Sequence, residues 1–473
     1  LVSCIFLLSV KICVSSVANK KIVALISMKN EGDNCMNLFN PLAVELNEIL
    51  KKNNENLFNM LSSFGQRIYF PKGILSQSAE AKAQAKKTNA TIGIATEQGV
   101  PMHLQSIHKY ISDINPKDSY DYAPASGKPD LRAEWRKKLL IDNPSLQGKS
   151  LSNPIVTNGL THGLSIICDL FVDPEDKIVL ADKVWDNYPL MFSVRYGGEL
   201  VMFPMFNDNN GFNTAGFRKT MIDAAKNAKK ILTILNFPNN PTGYTVTTDE
   251  AKQIADAICE VADSGCNVIA ICDDAYFGLF YEDNVLKESI AGYISGIHPK
   301  VLTVKADAAT KEEYVWGFRT GFLSFCLGDR NGEEQVFSAL ERKVMGCIRS
   351  TISNCSNLSQ TLVLEALKSP SLNEERAEKA EILKARSLKV KEVLSNAKYN
   401  DVWDFYPFNS GYFMCLRLKA VEAEKLRTHL LSKYGVGVIA LEGRDIRVAF
   451  SSVEENDIEG LFDTIYSGIK DLS

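Results

Sequence analysis

The chain has 473 residues, of which 45% are hydrophobic and 23% charged. That length exceeds one ordinary core and implies a large and a small domain of globular type. Lys and Arg number 53 against 57 Asp and Glu, and the net charge of −4 offers no electrostatic case for a nucleic-acid partner. The cysteines number 11, without a C-x-x-C pair, and most sit in apolar runs such as "SIICDLF". They read as reduced core thiols of a cytoplasmic protein rather than as a disulfide framework.

The first segment, "LVSCIFLLSVKICVSSVA", is apolar but short, and Lys11 interrupts it. It is a poor membrane span, and it lacks the positive charge that precedes the apolar part of a signal peptide. Residues 1–36 are therefore expected to be an extension outside the fold, with Met28 or Met36 initiating. A cleaved segment ending near "SSVA" is the alternative.

After it, "PLAVELNEILKKNNENLFNMLSSFG" (41–65) reads as helical with a Gly stop. "YFPKGILSQSAEAKAQAKKTN" reads as a loop and a polar helix, and "ATIGIAT" (90–96) as a short strand. From residue 131 onward, "PIVTN", "KIVLAD", "LVMFP", "KILTILN", "NVIAICD", "VLTVKAD" and "GFLSFCL" are β-rich runs. Helix-period segments separate most of them. That alternation predicts an α/β fold with a mostly parallel seven-stranded sheet flanked by helices. The long charged helix "NEERAEKAEILKARSLKVKEVLSN" leads out of it. "GYFMCLRL" and "DIRVAFSS" then suit a smaller α+β domain. The expected division is 37–117 with 365–473 for the small domain, and 118–364 for the large one.

Open parallel sheets bind ligands beyond the carboxyl ends of their strands. In "PIVTNGLTHGLSIICDLF" a Gly turn leads from strand to helix, and backbone N–H groups there favour a phosphate. Any tight strand-to-helix turn uses Gly, so this signal alone is weak. Trp185 follows the next strand and could stack on a flat ring, although a bare Trp also packs cores. "NFPNNPTGYT" (236–245) crowds Asn and Pro at a strand end, where a hairpin would need only Asn-Gly. In "DDAYFGLF", Asp273 ends a strand with Tyr276 three residues on. An acid there could pair with a protonated ring nitrogen, or simply cap a helix. "VLTVKADAATKEEYVWGFRTGF" offers Lys305 and Lys311, with Arg319 eight residues after the second.

"NNPTG", "DDAY", and "TK" followed by "GFRTG", in this order and spacing, resemble class I and II aminotransferases of the aspartate and aromatic type. These are pyridoxal-phosphate enzymes of fold type I. The resemblance runs from about residue 41 to the C-terminus. It implies that Lys311, not Lys305, is the Schiff-base lysine, with an amine pKa lowered so that it can move a proton. It implies that Asp273 keeps the pyridine nitrogen protonated, and that Asn240 and Tyr276 bond the ring's phenolic oxygen. Pro241 and Gly243 would hold the turn that carries Asn240. Arg319 would clamp the phosphate, helped by the turn at Leu160 and Thr161, and Trp185 would stack on the ring.

"YAPASGKPDLR" matches a family segment in which Tyr122 reaches the phosphate of a partner subunit, which implies a homodimer. Arg447 in "DIRVAF" matches the arginine that binds the substrate α-carboxylate, and Gly93 could add a backbone N–H to it. "IRSTISN" matches the spacing in which Arg349, from the neighbouring subunit, grips a distal carboxylate. Arg349 is equally read as one more cation beside Arg342 and Lys343 on an amphipathic helix. Two positions depart from the pattern. Ala308 stands where a hydroxyl is usual, and Lys183 where many relatives have Pro.

The resemblance thus implies an aminotransferase working between an amino acid and a 2-oxo acid. Glutamate with 2-oxoglutarate is expected as one pair, and aspartate or an aromatic amino acid as the other donor. No metal, nucleic acid or membrane enters that chemistry. The same residues also serve C–S lyases and decarboxylases, and some relatives bind the cofactor only to regulate, so these remain alternatives.

Overall fold

The computed structural model describes residues 39–71 and 73–473. Residues 1–36, expected as an extension, lie outside the described residues. The described chain forms two compact units, residues 39–71 and the remainder.

In the first unit, the single helix expected over 41–65 is three: Pro41–Asn53, Glu55–Met60 and Ser63–Arg67. The breaks are side-chain caps. Asn54 Oδ1 accepts from Leu57 N at 3.0 Å, and Ser62 Oγ from Gly65 N at 3.0 Å. Such side chains offer the backbone an alternative to continuing the helix. Gly65 therefore sits inside the third helix and does not stop the first.

The second unit carries strands β1 (Thr88–Asn89), β2 (Thr96–Glu97), β3 (Val100–Pro101), β4 (Ile155–Asn158), β5 (Lys177–Ala181), β6 (Glu199–Phe203), β7 (Lys230–Asn236), β8 (Asn267–Asp273), β9 (Val301–Ala308) and β10 (Thr320–Leu327). Then follow β11 (Trp403–Phe405), β12 (Phe413–Leu418), β13 (Val436–Gly437), β14 (Ile439–Ala440) and β15 (Asp445–Ala449). The seven apolar runs read from the sequence are the seven strands of one sheet, in the order β4-β10-β9-β8-β7-β5-β6. Its neighbours are parallel except at β10, which is antiparallel to both β4 and β9. A second sheet, β11-β12-β15-β14, is antiparallel throughout.

The strand expected over "ATIGIAT" does not form; only its last residue, Thr96, enters β2. Asn89 bends the chain there, because its Oδ1 accepts from both Thr91 N (3.1 Å) and Thr91 Oγ1 (2.6 Å). A local side-chain turn of this kind outcompetes extension into a ladder.

Alternate residues of the central strands enter different cores, as the two-residue period of a strand requires. Leu232, Ile234, Ile269, Ile271, Val304 and Ala306 pack with Leu164 and Ile167 of the helix Gly159–Phe171. Ile231, Leu235, Val268, Ala270 and Cys272 pack with the helices Thr214–Ala225 and Thr248–Asp263. Both faces of the sheet are thus covered, which is why its strands read as unbroken apolar runs. The helix Thr248–Asp263 starts at a reciprocal cap, with Thr247 Oγ1 accepting from Glu250 N and Glu250 returning to Thr247 N.

The turn after β7 is pressed against the segment leading into β12. Asn409 N and Ser410 N both donate to the Gly243 carbonyl at 2.9 Å. Gly243 has φ +75, and a Cβ there would collide with the carbonyl oxygen of Phe413. Strain of the left-handed conformation adds to that clash. Gly243→Ala is therefore expected to cost about 3 kcal/mol of stability. Thermal melting of the cofactor-free protein checks this, and an unchanged melting temperature would contradict it.

Candidate active site

The carboxyl edge of the large sheet gathers most of the residues singled out in the sequence. Asn236 ends β7, Asp273 ends β8, and the two lie opposite each other in register. Lys311 follows β9 in the single turn Ala309–Glu312. Because β10 is antiparallel, its beginning reaches this same edge, with Thr320 paired to Asn158 of β4. That reversal brings Arg319 to the start of the helix Gly159–Phe171.

Asp273 is 2% exposed. Its carboxylate accepts from Tyr188 Oη at 2.6 Å, from Ala275 N at 3.1 Å and from Asn236 Nδ2 at 3.3 Å. Burial nevertheless raises its pKa, and those donors and the nearby Lys311 charge only partly offset it. A carboxylate this deep, held by neutral donors and directed off the end of a strand, is suited to a cationic ring nitrogen.

The two candidate lysines differ in their surroundings. Lys305 is 1% exposed and donates to Asp274 at 2.7 Å and to Asp307. Burial alone would lower its pKa, but the two carboxylates outweigh that and hold it protonated. Lys311 Nζ lies 4.5 Å from the centre of the Tyr276 ring. Desolvation pushes its amine down to about 8, with Asp273 opposing and Arg319 assisting. An amine so placed gives up its proton near neutrality, as proton transfer by a lysine requires.

At the start of the helix, Gly159 has φ +75, and a Cβ there would collide with the guanidinium of Arg319. The missing side chain lets that guanidinium lie against the turn that begins with Leu160 and Thr161. Arg319 donates to Trp316 O at 3.4 Å, a long contact that leaves most of its fork open. Helix-start N–H groups and a planar cation together suit an anion such as a phosphate.

Arg447 is 1% exposed. Its Nη1 donates to Asn240 Oδ1 at 3.0 Å and its Nη2 to the Thr91 carbonyl at 2.9 Å, and its guanidinium lies 4.1 Å over the Phe413 ring. Its Nε has no hydrogen-bond partner among the described residues. Because Arg447 takes the oxygen of Asn240, the amide nitrogen of Asn240 stays free to donate. Tyr276 is buried against Tyr412 and Phe413, and a Cβ at Gly93 would sit 4.0 Å from its hydroxyl. Trp185, half-buried, meets Tyr188 edge-on at 5.6 Å.

Tyr122 and Arg349 are not drawn into this set. Tyr122 is 92% exposed. Arg349 is exposed and donates to Ser353 Oγ at 2.5 Å. The two segments do adjoin, since Asn354 Nδ2 donates to the Ala123 carbonyl at 3.3 Å.

Three participants were not read from the sequence. Tyr188 holds Asp273 from the turn that carries Trp185. Asn236 holds Asp273 and also accepts from Asn240 N at 2.9 Å. Thr91 supplies a carbonyl to Arg447. Asn236 opens the same Asn- and Pro-rich stretch as Asn240, so a signal for it existed; Tyr188 and Thr91 offered none.

The family model for class I and II aminotransferases matches residues 102–465. A probable aspartate/prephenate aminotransferase of Aquifex aeolicus is 27% identical over 351 residues, covering 72% of this chain and 81% of that protein. An aminotransferase of Anaerococcus prevotii superposes with a TM-score of 0.76 at 21% identity, covering 86% of this chain and 99% of that one. Aspartate aminotransferase of Thermus thermophilus gives 0.66 at 17% identity over 86% of this chain and 99% of its own. At these identities the structural likeness establishes the fold, and the family match establishes the chemistry. The chain belongs to the class I and II aminotransferase family, and it is a pyridoxal-phosphate-dependent aminotransferase.

Proposed function

We propose that the residues gathered at the carboxyl edge hold pyridoxal phosphate and the substrate, and that glutamate with 2-oxoglutarate is one amino-group pair. Aspartate or an aromatic amino acid is the other donor. The observation that carries the reading is the convergence of Asp273, Lys311, Asn240 and Arg447 from separate strands and turns on one edge.

When bound, the cofactor supplies an electron-withdrawing ring that accepts charge from the substrate Cα. The residues of the chain do the rest. Asp273 would pair with the ring nitrogen and keep its proton in place. Asn240, through its free amide nitrogen, and Tyr276 would donate to the phenolic oxygen. Arg319, with the N–H groups of Leu160 and Thr161, would bind the phosphate, and Trp185 would stack on the ring. Lys311 would hold the cofactor through Nζ, and its amine would move the proton at the substrate Cα. Arg447 would bind the α-carboxylate, and Gly93 would add its backbone N–H to it.

The division into a small domain (37–117 and 365–473) and a large one (118–364) is part of the same reading, supported by the separate four-stranded sheet. So is a homodimer. A tyrosine as exposed as Tyr122, adjoining the Arg349 segment, suits a face that completes a neighbouring subunit's site. A cytoplasmic setting accords with the free thiols at all eight cysteines among the described residues. No helix among the described residues is long and apolar enough to cross a membrane.

If Lys311 holds the cofactor, borohydride reduction followed by denaturation leaves the cofactor's mass on the wild-type chain and not on Lys311→Ala. Mass retained by Lys311→Ala but lost in Lys305→Ala would reverse the assignment. In solution, light scattering should give twice the 52.5 kDa of one chain; a fully active monomer would exclude shared sites. Arg349 decides the substrate class. Arg349 is exposed on its own subunit; enclosed in a neighbouring subunit's site, it would be left unmatched by any substrate lacking a distal carboxylate. Arg349→Ala should therefore reduce the preference for glutamate over alanine, as a ratio of kcat/KM, by about 100-fold. An unchanged ratio would leave a generic aminotransferase.

A further inference from the structure

Lys183 stands where many relatives have Pro, and its side chain is engaged on the site's flank. Its Nζ contacts Asp445 Oδ2 at 3.0 Å and Asp182 Oδ2 at 3.6 Å, with side-chain exposures of 19% for Lys183 and 12% for Asp445. The ammonium also lies 4.8 Å over the Tyr406 ring. Tyr406 Oη completes the group by donating to Asp445 at 3.0 and 3.1 Å. Lys183, Asp182 and Tyr406 line an open cleft of about 470 Å³ that also takes in Phe206 and Arg417. Burial pushes the Lys183 amine down, but the carboxylates of Asp182 and Asp445 outweigh it and keep the amine charged.

Asp445 and Arg447 are two residues apart on β15, so their side chains leave the same face of the strand. The backbone of Lys183 is held as well. Its carbonyl accepts from Asn239 Nδ2 at 3.1 Å, while Asn239 Oδ1 accepts from Thr242 N and Thr242 Oγ1 within the next turn. Asn240, adjacent in sequence, accepts from Arg447. The contacts therefore close a ring: Lys183 to Asp445, along β15 to Arg447, across to Asn240, and through Asn239 back to Lys183. Trp185 is two residues further along the turn that starts this ring.

We propose that Lys183 is a positioning residue for the substrate carboxylate: its ion pair with Asp445 fixes the strand bearing Arg447 against the turns bearing Asn240 and Trp185. The inference rests on Arg447 being the carboxylate-binding arginine. A partly buried ion pair suits this role, because removing one partner leaves the other charge uncompensated and free to pull the strand toward water. Small displacements of a binding arginine are costly to the reaction.

The test measures steady-state kinetics with the amino donor on Lys183→Met, Asp445→Asn, the double variant and Lys183→Arg, beside Arg447→Gln. Lys183→Met and Asp445→Asn should each raise KM about tenfold with kcat within about twofold. The double variant should be no worse than either single one, because both break the same link. Lys183→Arg, which keeps the charge, should recover most of the KM. A readout independent of turnover is hydrogen exchange of the cofactor-free protein. There Lys183→Met should speed exchange both at residues 183–186 and at residues 445–449.

Losses that multiply in the double variant overturn the proposal, as does faster exchange confined to one of the two segments. So does an unchanged KM in the single variants. In that last case Arg447→Gln separates the causes. A raised KM in Arg447→Gln sinks the positioning role alone, and an unchanged one sinks the carboxylate reading with it. Should Lys183→Met fail to fold, Asp445→Asn, of nearly the same shape as the native residue, carries the same comparison.

Discussion

A carboxylate taken out of water must find donors, and Asp273 finds them at the end of β8. Hydrogen bonds to a charged acceptor are worth about 1.5–3 kcal/mol each, and losing one in a buried site costs its desolvation as well. The three donors come from three places: Tyr188 from the turn after β5, Asn236 from the end of β7, and Ala275 from the residues just after β8. Satisfying this one group therefore fixes three segments at the sheet edge. Asn236 extends the constraint, since its oxygen accepts from Asn240 N and sets the start of the next turn. Even so, the donors do not cancel the burial penalty. What remains is an acid whose ionised form is best stabilised by a positive group placed beyond the strand.

The contrast between the two lysines follows from the same physics. Lys305 lies within β9, facing Asp274 and Asp307, and its charge is neutralised inside the protein. Lys311 lies one turn past the strand end, where one carboxylate attracts its proton and one guanidinium repels it. Burial is unfavourable to a charged amine at both places. Only at Lys311 does it win, and only there is the amine available for chemistry near neutral pH.

The antiparallel β10 has a functional consequence. In a wholly parallel sheet the residue preceding a strand lies at the amino edge, away from the ligand side. Reversing β10 places Arg319 against Gly159, so the cation and the helix start share one small space. The clash that any Cβ at Gly159 would make is the measure of how closely they approach.

Much of this was legible in the sequence. Seven apolar runs bounded by turn residues identified the strands of the large sheet, because a sheet covered on both faces demands continuous burial. The motifs around Asn240, Asp273, Lys311 and Arg319 stood out by their order and spacing, which resemble those of class I and II aminotransferases. Local patterns failed where a single side chain overrode the trend. Asn54 split an amphipathic run into separate helices, and Asn89 turned a β-like segment into a bend. Tertiary structure alone decided that Tyr188 faces Asp273, that Thr91 offers its carbonyl to Arg447, and that Lys183 reaches Asp445. Those partners are 85, 356 and 262 residues apart in the chain. Periodicity and turn chemistry act over a few residues, whereas a buried charge selects its partner by what the folded sheets bring within about 3 Å.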